Sequence, residues 1–405
     1  MALLFPFQAL RPLPESAARV ASVPYDVVST EEARALAAGN PLSFLRVTRA
    51  EIDLPAETNP YDPSVYDQAG RNFEELKRAA PLVLEDEPSL YFYRLRMGAH
   101  QQTGLCGCFS VDEYDRGTIK KHERTRKEKE DDRTRHMVEL RAQTGLVFLT
   151  YHATPVVDAI AARVCAGPAL YDLTAPDGIR HEVWPVGGHD MAALVEAFGH
   201  LPALYIADGH HRAASAARAR AEMVAAGARS TEAGRFAAVA FPDTQVQILA
   251  YNRVIKDLGT RNPRAFLSAL RGRVRAADGG PTPTRPGEVS MFLSGRWYRL
   301  TLPDSPAGTP RADTLDVAVL QREVLEPLLD IGDVRTDKRI DFVGGARGSA
   351  ELERLVTTGR AAVAFAMFPV SVGDLVAIAD AGGIMPPKST WFEPKLRDGL
   401  LVHLI

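Results

Sequence analysis

The chain has 405 residues, 46% of them hydrophobic and 24% charged, with a formal net charge of −3. That is material for one large or two moderate globular domains, and the slightly acidic balance excludes a global pull toward nucleic acid or an anionic membrane. No apolar run approaches the ~20 residues of a spanning helix, and three cysteines in so long a chain argue against a disulfide framework. Met1 to Phe7 has neither a basic region nor a cleavage site, so a cytoplasmic location is expected.

In chain order, residues 89–97 and 104–111 alternate or run apolar between turn signals at Gly98 and Gly104, and predict neighbouring strands. Cys106 and Cys108 fall in the second run. A single glycine separates them, which is not the spacing of a zinc knuckle, so they read as inert core thiols. Residues 119–142 are charged and free of Gly and Pro, and predict one long helix. A strand over 147–151 and a helix over 156–165 follow. Residues 236–241 and 247–251 predict a strand pair joined around Pro242-Asp243. Residues 277–287 predict a loop. Residues 289–293 and 296–302 predict a hairpin about Ser294-Gly295. Residues 317–329 are amphipathic, and 361–368 and 372–381 predict a last strand and helix. This pattern predicts α+β architecture, with mixed or antiparallel sheets and flanking helices, over a doubly wound fold. A main α+β domain, which carries the binding site, is expected over 1–275. A C-terminal α+β region, 276–405, is expected to complete the cleft.

The most informative stretch is Asp208-Gly209-His210-His211-Arg212. An apolar strand-like run, 203–207, stops at Asp-Gly, and an alanine-rich helical run begins at Ala213. Free backbone N–H groups and the helix dipole at such a junction favour an anion. Gly209 admits close backbone approach, Arg212 can fork onto phosphate, and Asp208 can hold a metal or take a proton. An Asp cap with two surface histidines is the competing reading. The turn is expected to be exposed, so Arg212 should be removable without loss of the fold.

Three further segments offer chemistry. In the predicted helix, Lys121, Thr125, Lys129 and Arg133 recur at four-residue spacing, with His122 and Glu123 at its start; a solvated helix laced by ion pairs is the alternative. Lys388-Ser389-Thr390, after two prolines, gathers an ammonium and two hydroxyls, and Lys395 adds a second charge. Arg339 and Asp341 precede Gly344-Gly345, where backbone N–H groups could meet an anion. The chain contains no P-loop, no G-x-G-x-x-G, no H-E-x-x-H and no G-x-S-x-G.

Five ordered stretches resemble the bacterial and archaeal DUF1015 family. They are Phe5-Pro6-Phe7 through Pro24-Tyr25-Asp26-Val27; His122-Glu123-x-Thr125 with Lys129 and Asp132-Arg133; Asp208 to Arg212; Arg339-x-Asp341; and Met385-Pro386-x-Lys388-Ser389-Thr390 with Pro394-Lys395. The D-G-H-H-R element also resembles that of free-serine kinases of the ParB/sulfiredoxin-like superfamily. That likeness implies a ParB/sulfiredoxin-like element around the turn and phosphotransfer from ATP or ADP, with Mg²⁺, to a small hydroxylated metabolite, free L-serine first. On this reading His210, His211, Arg212 and Gly209 hold the donor phosphates, and Asp208 places Mg²⁺. Glu123 takes the hydroxyl proton. Lys121, His122, Thr125, Lys129, Arg133, Lys388, Ser389, Thr390 and Lys395 serve nucleotide or phosphate. Tyr25, Asp26, Arg339 and Asp341 serve substrate.

The alternatives are a non-catalytic ParB-like nucleotide switch and a metal-dependent phosphohydrolase. A sulfiredoxin-type reaction needs a cysteine in the phosphate turn, and residues 207–212 hold none. The expected partners are a small substrate and a nucleotide, with no nucleic acid and no membrane. The oligomeric state stays open, a homodimer included.

Overall fold

The structure, a computed structural model, describes residues 3–79, 81–271 and 273–405. It is a mixed α+β architecture in two units. The first comprises Met1–Val246 and Pro394–Ile405, the second Gln247–Glu393. The division thus falls after Val246 and not after residue 275, and the C-terminal segment returns to the first unit. That return has a hydrogen-bonded basis. The final strand, Val402–Leu404, lies between Ala9–Pro12 and Ala142–Gln143 in a small sheet that Leu82–Leu84 completes.

Among the described residues, the first unit is built on a nine-stranded mixed sheet. Its order runs Ile119–Lys120, Leu204–Asp208, Val147–Tyr151, Arg235–Pro242, His100–Ser110, Leu90–Met97, Arg180–Val186 and Tyr171–Thr174, with Leu4–Phe5 paired alongside His100–Ser110. The central strands are buried on both faces, which explains why they read as apolar runs without alternation. Cys106 and Cys108 are fully buried there, and burial pushes both thiols up, away from reactivity.

The His210–Ala225 helix packs its small face (Ala213, Ala216, Ala219) into the main core, and it also packs against Lys127–Leu140. Alanines permit close approach of helix to sheet, so the turn that begins the helix is drawn into the protein. At 25 cal/mol per Å² each buried methyl contributes little; their use is proximity.

Among the described residues, the second unit carries a six-stranded antiparallel sheet: Arg275–Asp278, Arg296–Thr301, Glu288–Leu293, Val363–Met367, Tyr251–Ile255 and Ile340–Gly344. The hairpin about Ser294-Gly295 and the strand after Ala361 stand as expected. The loop expected from 277 starts as strand. The pairing expected between residues 236–241 and 247–251 does not form. Ile248–Leu249 pairs with Trp391–Phe392, and Tyr251–Ile255 joins the second sheet, so Pro242-Asp243 ends the Arg235–Pro242 strand and turns no hairpin.

The helix expected over 119–142 is also wrong at its start. Ile119–Lys120 is an edge strand, parallel to Leu204–Asp208, and the helix runs only Lys127–Leu140 behind an extended Arg126. The residues between have good helix propensity but other backbone partners. The His122 amide donates to His210 Nε2 (3.3 Å) and the Arg126 amide to His211 Nε2 (3.0 Å). Tertiary acceptors replaced helical carbonyls, an override that propensity alone cannot register.

Candidate active site

Leu204–Asp208 shifts register against Val147–Tyr151 between Ile206 and Asp208. Such an irregularity re-aims a side chain at a strand end. Asp208 keeps 31% of its side-chain surface exposed and accepts from Lys395 Nζ at 3.1 Å. Burial pushes this carboxyl up, but the charges of Lys395 and Arg212 outweigh it and hold it well below the ordinary carboxylate range. Gly209 then takes φ +92°, and a Cβ there would stand 3.4 Å from both the Arg212 guanidinium and Val147 Cα. Those contacts are ordinary van der Waals distances, so it is the left-handed backbone that calls for glycine here.

His210 and Arg212 are 5% and 7% exposed, so the turn is not the exposed cap expected. Burial drives His210 well below its ordinary value and lowers His211 too. Both rings are therefore neutral at pH 7. The amides they accept assign the free lone pair to Nε2 and the proton to Nδ1. These two histidines hold the 121–126 loop by its backbone. That loop places Glu123, which is exposed, beside buried His122 and His210; one ligand atom from each lies within 4.8 Å of the others. The His122 and His210 rings meet edge to face at 4.3 Å. Burial pushes His122 down to about 4, opposed in part by the Ile206 main chain and the Asp208 carboxylate.

Arg212 points inward. One guanidinium nitrogen lies 2.9 and 3.0 Å from the two oxygens of Asp26, and another donates to the Leu146 carbonyl at 3.0 Å. Tyr25 is buried between two cations, with Arg133 4.2 Å and Arg212 5.6 Å from its ring centroid. Arg133 also pairs with Asp132 at 2.8 Å, and Asp132 accepts from Tyr66. A small cavity of about 30 Å³, water-sized, is lined by Tyr25, Arg133, Gly145 and Arg212.

The sequence reading missed Asp398. It is 2% exposed, and one carboxylate oxygen has no hydrogen-bond partner. Burial pushes it up to about 7, only partly opposed by Arg212. The available signal was Arg397-Asp398-Gly399, a charged pair and turn glycine set against the apolar C-terminal run.

The four-residue stripe does not exist as one helix face, because Lys121 and Thr125 precede the helix. Lys121 lies over the Tyr114 ring at 3.6 Å, and the Thr125 hydroxyl donates to Glu130. Lys129 donates to the Tyr61 hydroxyl at 2.8 Å. Of the four, Arg133 neighbours the turn, through Tyr25.

Lys388, Ser389, Thr390, Arg339 and Asp341 belong to the second unit. There Lys388 adopts φ +57°, its carbonyl accepts from Arg253 at 2.9 Å, and its ammonium stands 5.5 Å from the Tyr251 ring centroid. Ser389 is buried and donates to the Pro386 carbonyl. Arg339 is spent on Asp337 and the Leu329 and Asp330 carbonyls, and Asp341 pairs with Lys256 at 2.9 Å.

The family model described as "Protein of unknown function (DUF1015)" matches residues 4–319. No curated protein matches the chain. Among solved structures, a conserved hypothetical protein from Pyrococcus furiosus is similar with a TM-score of 0.37 at 15% identity, over 74% of this chain and 95% of that one. A mutant free serine kinase in complex with ADP is similar with a TM-score of 0.38 at 14% identity, over 74% and 92%. C-terminally truncated SbnI from Staphylococcus aureus is similar with a TM-score of 0.40 at 12% identity, over 74% and 87%.

Proposed function

The chain belongs to the DUF1015 family, and from its site we propose a small-molecule kinase that transfers a phosphoryl group from ATP or ADP to a hydroxyl, free L-serine being the first acceptor to test. The observation that carries this reading is the meeting of Asp208, Lys395, His122, His210 and Glu123 at one strand-to-helix junction. Phosphoryl transfer asks a protein mainly for positioning and charge neutralisation. A long helix opening on a left-handed glycine offers backbone N–H groups, and Lys395 offers an ammonium.

Each side chain's role follows from its partners. Lys395 meets donor phosphate while anchored on Asp208. Asp208 would hold Mg²⁺, an oxygen-seeking ion that would offset the charge of the donor phosphates. Glu123, exposed beside the junction, takes the acceptor's proton. His210 and His211 fix the loop that carries Glu123, and so position the base without touching phosphate. Arg212 fixes Asp26 and Tyr25 behind the turn. The D-G-H-H-R resemblance to free-serine kinases is what favours serine among hydroxyl acceptors.

The deciding experiment incubates the purified chain with Mg²⁺ and ATP or ADP against a panel of free amino acids and polyols, read by phosphorus NMR. A new phosphomonoester signal dependent on one acceptor is expected. Nucleotide that binds but is never consumed across the panel would favour a nucleotide switch.

A further inference from the structure

His122 is 1% exposed, and neither ring nitrogen makes a hydrogen bond of acceptable geometry. Buried polar groups are rarely left so, because each orphaned group costs its desolvation. The ring meets another buried imidazole, His210, edge on. Beside both lies the exposed carboxylate of Glu123, and the three donor atoms fit within 4.8 Å of one another. Metal–nitrogen and metal–oxygen bonds of about 2.0–2.2 Å span such a group with small side-chain adjustment.

We propose that His122, Glu123 and His210 bind a divalent first-row transition-metal ion. Two imidazoles and one carboxylate form the donor set of zinc and non-haem iron centres, and they are a poor match for Mg²⁺, which prefers oxygen. The site is built. His210 opens the His210–Ala225 helix, and His122 and Glu123 sit on a loop that the Arg126 amide ties to His211 Nε2, a bond that coordination leaves in place. The 3.3 Å contact between the His122 amide and His210 Nε2 is long for a hydrogen bond, so coordination displaces little. Glu123, facing solvent, gives the ion its path. Asp208, near both imidazoles, adds negative charge behind them. Three protein ligands leave coordination positions for an outside oxygen.

What the ion would meet there, an acceptor hydroxyl or a phosphate oxygen, rests on the kinase reading; the binding itself does not. One carboxylate oxygen of Glu123 on the ion leaves the other for the acceptor proton.

Co²⁺ titrated into tag-free, chelator-stripped full-length protein tests the proposal, read by visible d–d absorption and calorimetry. Saturable binding of one ion per chain is expected. His122→Asn and Glu123→Gln should each weaken it about a hundredfold, since even outer-shell changes cost about 10–100-fold. His189→Ala, an exposed histidine outside the set, should leave it unchanged. The Glu123 side chain is exposed, so Glu123→Gln decides the matter even if His122→Asn fails to fold. Absence of saturable binding, or binding indifferent to Glu123→Gln, overturns the site. Phosphotransfer with Mg²⁺ is measured separately: turnover without Co²⁺ binding overturns the metal site and keeps the kinase reading, and Co²⁺ binding without nucleotide consumption does the reverse.

Discussion

Arg212 spans both oxygens of Asp26, 186 residues away in sequence, and so ties the start of the His210–Ala225 helix to the N-terminal segment. Its guanidinium also lies near Asp398 and Asp208. Burial would lower its pKa, but these carboxylates outweigh that and raise it. Arg212→Ala would leave Asp26 without its ion-pair partner and buried Asp398 with Arg133 alone of its two neighbouring cations. Breaking a fully buried pair from one side costs about 3–5 kcal/mol, and the cost here falls below that range because Asp26 is 38% exposed and water screens it. A clear drop in the urea midpoint is expected, with partial recovery in Arg212→Lys, which keeps charge but loses the fork. A midpoint equal to wild type would show that the arginine is not structural.

The two histidines predict a local effect of another kind. His211 Nε2 receives the Arg126 amide, and His211→Ala removes that acceptor. The net value of one such bond is about 1 kcal/mol, too little to unfold the chain. It is enough to loosen residues 121–126, which contain Lys121, Arg124 and Arg126. Limited trypsin digestion should therefore cut this loop several-fold faster in His211→Ala at nearly unchanged thermal stability. Equal cutting rates would mean the imidazole does not hold the loop.

Much of this was readable beforehand, for physical reasons that differ by element. Val147–Tyr151 and the Ser294-Gly295 hairpin were legible because burial on both faces and turn chemistry are local signals. The D-G-H-H-R junction was legible because strand, turn and helix each announce themselves. The 121–126 loop was not. Its residues favour helix, and what unmakes the helix is a pair of imidazoles some 85 positions later. Arg212 misled for the same reason: its chemistry suits phosphate, while its partner Asp26 is set by the fold. Asp398 stayed hidden because a buried carboxylate looks in sequence like an exposed one.

Acid should weaken the fold through histidines held neutral in the core. Burial, with help from Arg133, pushes His136 down to about 3; burial and Arg397 do the same to His181. Their unfolded value is near 6.5, so between about 6.5 and 3 the unfolded chain binds more protons. Stability is then present above that window and lost as pH falls, by about 1.4 kcal/mol per unit for each full proton. Asp398 works the other way, since its raised pKa favours the folded state as pH falls from 7 toward 3.8. His136 Nε2 donates to the Val47 carbonyl at 2.9 Å, a contact glutamine can keep. His136→Gln should therefore lessen the pH slope of stability by about one proton. Parallel slopes for variant and wild type, in urea titrations at pH 7, 6 and 5, would contradict this.

Glu123 and Lys395 separate catalysis from donor binding. A general base acts on the transition state, so its loss falls on kcat, by about 10²–10⁴-fold. The Glu123 side chain faces solvent, and Glu123→Gln preserves its shape, so folding and nucleotide affinity should hold within about twofold of wild type. Lys395 sits 3.1 Å from Asp208 with 13% of its side chain exposed. Lys395→Met removes a charge-assisted phosphate contact worth about 1.5–3 kcal/mol, or a ten- to hundredfold loss of nucleotide affinity. It also leaves Asp208 without its ammonium. Adding Asp208→Asn in the same chain removes that stranded charge, so the double variant should fold at least as well as Lys395→Met while binding nucleotide no better. Calorimetry with ADP, together with initial rates, measures all three. If Glu123→Gln weakened nucleotide binding as much as turnover, Glu123 would be a donor ligand and the base would have to be sought elsewhere in the loop. If Lys395→Met bound nucleotide normally, the Asp208–Lys395 pair would be structural, and the phosphate site would not lie at this junction.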